Sequence, residues 1–271
     1  MNTASSARFA ISTSELTRRF GELTAVDHVQ LQVSYGEVFG LLGANGAGKS
    51  TVIKMLTTLL PPTSGTAEVG GFDIVESQGQ VRQRIGYVSQ LVSADGTLTA
   101  YENLRLSAKL YGLPKAERSD RIDDALEFMG LADSAQKLVR TYSGGMIRRL
   151  ELAQAMLHRP AILFLDEPTI GLDPVARRVV WDRLFDLRHE YGMTVLITTH
   201  DMDEADVLCD RLAILHRGRI SVVGKPADLR ASLGTNATMD DVFAHYAGGL
   251  IHEGGTFHEV AQTRSTARRL G

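Results

Sequence analysis

Val38-Phe39-Gly40-Leu41-Leu42, running directly into Gly43-Ala44-Asn45-Gly46-Ala47-Gly48-Lys49-Ser50-Thr51, is the stretch that decides the fold. The first five residues read as a buried strand, and the next nine fit G-x-x-x-x-G-K-[ST] with an additional glycine inside the loop. Glycines allow dihedrals that turn backbone amides toward one point, and the start of a helix adds partial positive charge there. Lys49 is long enough to reach outer phosphates, and the Ser50 hydroxyl suits a magnesium ion. From Ser50 to Leu60 nothing breaks a helix, and Pro61-Pro62 stops it. Strand, loop and helix in this order describe a polyphosphate cradle; an ordinary glycine-rich turn would not need all three.

Upstream, Val29, Leu31 and Val33 alternate as on a half-buried strand, while residues 1 to about 13 are small and polar and read as a loose lead-in. Phe20, just before Gly21, serves either packing or stacking on a flat base. Downstream, Thr63-Ser64-Gly65-Thr66 and Gly70-Gly71 read as turns. Ile85-Gly86-Tyr87-Val88-Ser89-Gln90 reads as a strand ending in an amide that is either plain surface or functional. Between Thr99 and Gly130 the pattern becomes helical: Tyr101, Leu104, Ala108 and Tyr111, then a break at Gly112-Leu113-Pro114, then Ile122, Ala125, Leu126 and Met129. A helical insertion in an alternating strand and helix chain is a natural partner surface.

Tyr142-Ser143-Gly144-Gly145-Met146 opens another helix, with Met146, Leu150, Ala153 and Leu157 on its buried side and Arg148, Arg149 and Glu151 mostly elsewhere. Ser143 with two glycines either caps that helix or holds a second phosphate. Ile162-Leu163-Phe164-Leu165 delivers Asp166 and Glu167 to a strand end, where a carboxylate pair suits metal binding and water activation or, alternatively, helix capping. Asp173 caps a further helix with Pro174 at its first position. The strand Val195-Leu196-Ile197-Thr198-Thr199 brings His200 to the same edge, and Asp203 and Glu204 begin the next helix. Arg211 to Leu215 and Ile220 to Val223, joined through Arg217-Gly218-Arg219, read as a hairpin. Arg264, Arg268 and Arg269 belong to a Gly-rich end that reads as a solvated tail.

The 271 residues, 44% apolar and 23% charged, fit one or two globular domains rather than a disordered or fibrous chain. A net charge of -3 gives no general nucleic-acid footprint. Cys209 is the single cysteine, so no intrachain disulfide forms. No stretch approaches the ~20 uncharged apolar residues of a membrane span, and Phe9-Ala10-Ile11 is too short an apolar run for a secretory signal; a cytoplasmic protein is expected.

Taken in order, Gly43 to Thr51, Gln90, Tyr142 to Met146, Ile162 to Thr169, Gly171-Leu172-Asp173 and His200 resemble the Walker A, Q-loop, signature, Walker B, D-loop and H-switch of ABC ATPases. Thr199-His200-Asp201-Met202-Asp203-Glu204-Ala205-Asp206 and the tail Thr238-Met239-Asp240-Asp241-Val242-Phe243 are similar to the ATP-binding subunits of daunorubicin-resistance exporters. The resemblance implies an α/β fold: a P-loop NTPase (RecA-like) core with an antiparallel β subdomain and an inserted helical subdomain. The ATPase domain would span 14–224, with the insertion at about 91–160, and 225–271 would form a C-terminal extension with a mobile end.

It also implies roles. Gly43, Ala44, Asn45, Gly46, Ala47, Gly48, Lys49, Ser50 and Thr51 would hold ATP, with Phe20 stacked on adenine. Ser50, Gln90 and Asp166 would hold Mg2+. Glu167 would be the general base, Gln90 would contact the attacking water and signal to the membrane partner, and His200 would contact the γ-phosphate. Ser143, Gly144 and Gly145 would bind the γ-phosphate of ATP held by the opposite subunit, so the working unit would be an ATP-dependent head-to-tail homodimer. With a separate transmembrane permease, it would sit on the cytoplasmic face of the membrane and export a drug-like or other hydrophobic substrate.

Two departures stand out: Tyr142 and Met146 where many signatures read Leu-Ser-Gly-Gly-Gln, and Ile170 where serine usually precedes Gly171-Leu172-Asp173. They keep a nucleotide-dependent regulator as an alternative. A non-transport ABC ATPase of DNA maintenance or translation is the other alternative. It is disfavoured by the lack of a long heptad insertion, a second cassette or a basic surplus.

Overall fold

The computed structural model describes residues 9–248. In chain order the elements are β1 (Phe9–Phe20), β2 (Leu23–Ser34), β3 (Val38–Leu42), α1 (Lys49–Leu56), β4 (Ser64–Val69), β5 (Phe72–Asp73), α2 (Gln78–Arg84), β6 (Ile85–Val88), α3 (Ala100–Leu110) and α4 (Arg118–Phe128). There follow α5 (Gly144–Met156), β7 (Ile162–Asp166), α6 (Pro174–Tyr191), β8 (Thr194–Thr199), α7 (Met202–Leu208), β9 (Arg211–His216), β10 (Arg219–Gly224), α8 (Pro226–Leu233) and α9 (Met239–Gly248). β2-β1-β4-β5 form an antiparallel sheet. The larger sheet runs β10-β9-β3-β8-β7-β6, parallel except for the antiparallel edge strand β10.

The parallel strands are apolar throughout because both faces are covered, and their period of two sorts the side chains. Phe39, Leu41, Phe164, Leu196 and Ala213 pack with α1 and the antiparallel sheet. Leu42, Leu163, Leu165, Val195 and Ile197 pack with the residues of α3 to α7. One sheet thereby carries two cores, and its C-terminal edge remains open between them.

Three boundaries differ from the sequence expectation. β1 begins at Phe9, with Ala10 and Ile11 fully buried, so the polar-looking lead-in contains a paired strand. Ser64-Gly65-Thr66 belongs to β4, paired with β1 across an irregular register near Glu15 and Leu16. Local glycine and serine punctuation is overridden there by strand pairing. α1 ends at Leu56 rather than Leu60: the Thr57 hydroxyl donates to the Ile53 carbonyl at 2.8 Å and Thr58 turns left-handed (φ 62) before the prolines are reached. Beyond residue 224, Thr238 and Asp241 bond reciprocally to start α9, whose Met239 and Val242 are buried in the helical-side core. Arg264, Arg268 and Arg269 lie outside the described residues.

Candidate active site

The parallel pairing of β3 with β8 places Leu42 beside Thr199, and the Gly43 amide donates to the Thr199 carbonyl at 3.2 Å. The chain then turns back on itself, with the Ala47 amide donating to the Ala44 carbonyl at 3.1 Å. Gly48 occupies the N-cap of α1 at φ 107, and a Cβ there would stand 2.5 Å from the Ala25 carbonyl oxygen. Backbone conformation and space both demand glycine at this point. No acidic residue lies in the first turn of α1, which leaves its free amides and positive end for an anion.

β7 and β8 supply the other wall. Asp166, 2% exposed, accepts from the Thr198 hydroxyl at 2.6 Å and from the Ser50 hydroxyl at 3.1 Å. Burial, reinforced by the nearby Asp166 carboxylate, pushes the Tyr87 phenol up to about 12. Glu167 adopts a left-handed backbone (φ 49), held by bonds from its amide to the Thr198 carbonyl and hydroxyl, both at 3.1 Å. A non-glycine residue held there marks a constrained turn that aims a side chain. Its Oε1 lies 3.0 Å from Lys49 Nζ. Its buried Oε2 lies 3.1 Å from His200 Nδ1 without hydrogen-bond alignment, so that oxygen is free to accept from another donor. Lys49 Nζ also donates to the carbonyls of Gly43 at 2.7 Å and Ala44 at 3.2 Å.

Ala44, Asn45, Gly46, Gly48, Lys49, Ser50, Thr51, Gln90 and Glu167 line one cleft of about 300 Å³, with Ala25 on its rim. Gly43 and Ala47 shape the turn from behind, both buried. His200 lies across Glu167 on the exposed side, in a smaller hollow with Thr169, Gly171 and Arg177. Phe20 is outside the cleft lining; it ends β1 at 45% exposure with the Arg18 guanidinium 4.7 Å from its ring centroid. Ser143, Gly144 and Gly145 are also elsewhere. Ser143 caps α5, accepting from the Met146 amide at 3.3 Å, and a Cβ on Gly144 or Gly145 would meet Leu172 or Ala176.

Sequence reasoning missed several participants. Thr198 holds both acids, yet at the end of an apolar strand it reads as a β-branched filler. Glu204 is 1% exposed and accepts from the Thr169 hydroxyl at 2.7 Å and the Trp181 indole at 3.0 Å, tying the segment after Glu167 to α6 and to the helix after His200. Trp181→Phe removes one of those donors from a buried carboxylate and is expected to cost about 1–3 kcal/mol. Calorimetric unfolding checks this, and an unchanged midpoint would contradict it. Arg148 and Glu151, expected away from the buried side of α5, are 6% and 3% exposed and paired at 3.0 Å. A helical wheel cannot show that a neighbouring loop covers the polar face.

A parallel sheet with a glycine-lined cradle, a buried lysine and two acids at its C-terminal edge defines a P-loop nucleotide-binding ATPase. The family model described as "ABC transporter" matches residues 26–170. Among curated relatives, the daunorubicin/doxorubicin resistance ATP-binding protein of Streptomyces peucetius is 46% identical over 84% of this chain and 68% of its own length. The probable multidrug ABC transporter ATP-binding protein of Escherichia coli K12 is 44% identical over 90% of this chain, which spans 42% of that relative. A solved ATP-binding subunit of an ABC transporter superposes with a TM-score of 0.77 at 29% identity, covering 88% of this chain and 99% of that one. A dimeric ATP-binding cassette in a post-hydrolysis state with ADP and Pi gives a TM-score of 0.71 at 27% identity over 79% of this chain and 98% of that one. The chain belongs to the ABC transporter family, and it is an ATP-binding cassette of that family with the P-loop core, antiparallel β subdomain and inserted helices its motifs imply.

Proposed function

We propose that this chain binds and hydrolyses ATP with Mg2+ as a head-to-tail homodimer, powering efflux of a drug-like or other hydrophobic substrate through a separate transmembrane permease. The single observation that carries this reading is the division of the motifs: Lys49, Ser50, Glu167 and Gln90 line one cleft, with the buried Asp166 bonded behind Ser50, while Ser143, Gly144 and Gly145 are not part of its lining. A second copy could bring that glycine pair to the cleft's mouth. Ile170 and Val175, 42% and 76% exposed on either side of Gly171-Leu172-Asp173, are apolar surface suited to such a face. No helix among the described residues is long and apolar enough to cross a membrane, which fits peripheral attachment through a partner.

The Ser50 hydroxyl and Asp166 carboxylate, joined at 3.1 Å, supply oxygens of the kind magnesium takes, and Gln90 lines the same cleft as Ser50. Magnesium commonly takes one or two protein oxygens plus phosphate, so no larger acidic cluster is required. Bound there, the ion would offset charge on the β- and γ-phosphates. Lys49 would exchange part of its present pairing for phosphate oxygen. That would leave Glu167 to take a proton from water, His200 to steady the γ-phosphate, and Phe20 to face the adenine. The Streptomyces peucetius relative supports the drug-resistance setting by its name.

The test is ATP hydrolysis by the purified chain with and without a co-purified membrane protein. Stimulated turnover supports export. Turnover with no membrane association points to a non-transport ATPase, and binding without turnover to a regulator, the alternative that Met146 and Ile170 keep open.

A further inference from the structure

Gln90 is exposed in a loop that follows β6, with Leu91 and Val92 at 80% and 63% exposure. The anchors of that loop come from α5. Arg148 Nη1 donates to the Ser89 carbonyl at 2.8 Å, immediately before Gln90. Glu151 Oε1 accepts from the Ser93 amide at 2.6 Å and from the Ser93 hydroxyl at 3.0 Å, three residues after it. Arg148 and Glu151 are joined at 3.0 Å with side-chain exposures of 7% and 2%. Burial works against the Arg148 charge, and the Glu151 carboxylate offsets it. Asn103 secures the far end of the loop, accepting from the Asp95 amide and donating to the Asp95 carbonyl.

We propose that the Arg148–Glu151 pair is a positioning element for Gln90, clamping its loop on both sides to the helix that begins at Ser143-Gly144-Gly145. A buried ion pair is a poor source of net stability, since well-packed apolar residues commonly replace one without loss. Its directed bonds to a loop are what apolar residues cannot copy. Ser143 caps the same helix five residues before Arg148, so the clamp on the Gln90 loop is built on the helix that begins at the glycine pair. The inference rests on the proposed role of Gln90 in hydrolysis.

The experiment compares thermal midpoint, KM for ATP and kcat across Glu151→Ala, the double variant Arg148→Met/Glu151→Leu, Gln90→Ala, and all three substitutions combined. Glu151→Ala leaves a buried guanidinium unpaired and is expected to lower the midpoint. The apolar double variant is expected to restore the midpoint to within a few degrees while kcat stays at least ~10-fold down and KM changes less than ~3-fold. Adding Gln90→Ala to it is expected to lower kcat by less than ~2-fold more, because residues acting as a unit are not additive. Recovery of kcat together with the midpoint would show a purely structural pair and overturn the proposal, as would multiplicative losses in the combined variant. Unchanged kcat in Gln90→Ala would instead reject the role of Gln90 itself. If Glu151→Ala does not fold, the double variant and its combination with Gln90→Ala still decide the matter.

Discussion

Glu167→Gln is expected to bind ATP normally and to lose turnover by about 10²- to 10⁴-fold, the range for removing a general base. The amide fills the same volume and can still face Lys49, which keeps its bonds to the Gly43 and Ala44 carbonyls. The loop is therefore left intact. What disappears is a carboxylate whose second oxygen is buried and unbonded, the oxygen that would take the proton from water in the proposed reaction. Titration with ATP alongside steady-state hydrolysis separates the two effects. Near-normal turnover would remove Glu167 from its role, and lost binding would show that the substitution had damaged the cradle.

Lys49→Ala is expected to abolish measurable ATP affinity and, unlike the glutamine variant, to destabilise the protein without ligand. Lys49 lies deep beside Glu167 at 3.0 Å, so truncation strips a buried carboxylate of its cation and opens space behind the loop. Removing one partner of a buried ion pair costs about 3–5 kcal/mol, or roughly 6–20 °C in thermal midpoint for a domain of this size. Adding Glu167→Gln to Lys49→Ala should recover most of that midpoint but none of the affinity, because the amide carries no stranded charge. Differential scanning calorimetry and nucleotide titration read these two quantities independently. A midpoint identical to wild type in Lys49→Ala would mean that the ion pair contributes nothing to the resting cleft.

The cradle is legible because its demands are local: a glycine held at φ 107 at Gly48, a lysine at the first position of a helix, a strand before it. The acids at the end of β7 and the histidine at the end of β8 were legible for the same reason, as polar residues ending apolar runs. Their convergence on one edge follows from the parallel pairing of β3, β8 and β7. Long-range partners were not legible. Arg148 and Glu151 are charged residues on an amphipathic helix, and only the covering loop from Ser89 to Ser93 reveals why they are buried. Glu204 reads from the sequence only as an acid suited to the start of its helix, and the structure buries it between Thr169 and Trp181. The start of β1 was hidden because Phe9 to Ile11 is too short to show a period; its partners lie in β2 and β4.

On the proposed function, the cleft from Ala44 to Thr51 is half of a site, completed by Ser143-Gly144-Gly145 of a second copy. Sedimentation equilibrium of Glu167→Gln with Mg-ATP or Mg-ADP is the decisive measurement, with Gly144→Trp in the same background as the control, since Gly144 is exposed and a side chain there meets only the end of Leu172. The expected result is a dimer with Mg-ATP, a monomer with Mg-ADP, and a monomer under both conditions when Gly144 is replaced although ATP still binds and the thermal midpoint is kept. A Glu167→Gln protein saturated with ATP yet monomeric, or an ATP-dependent dimer indifferent to the tryptophan, would contradict it.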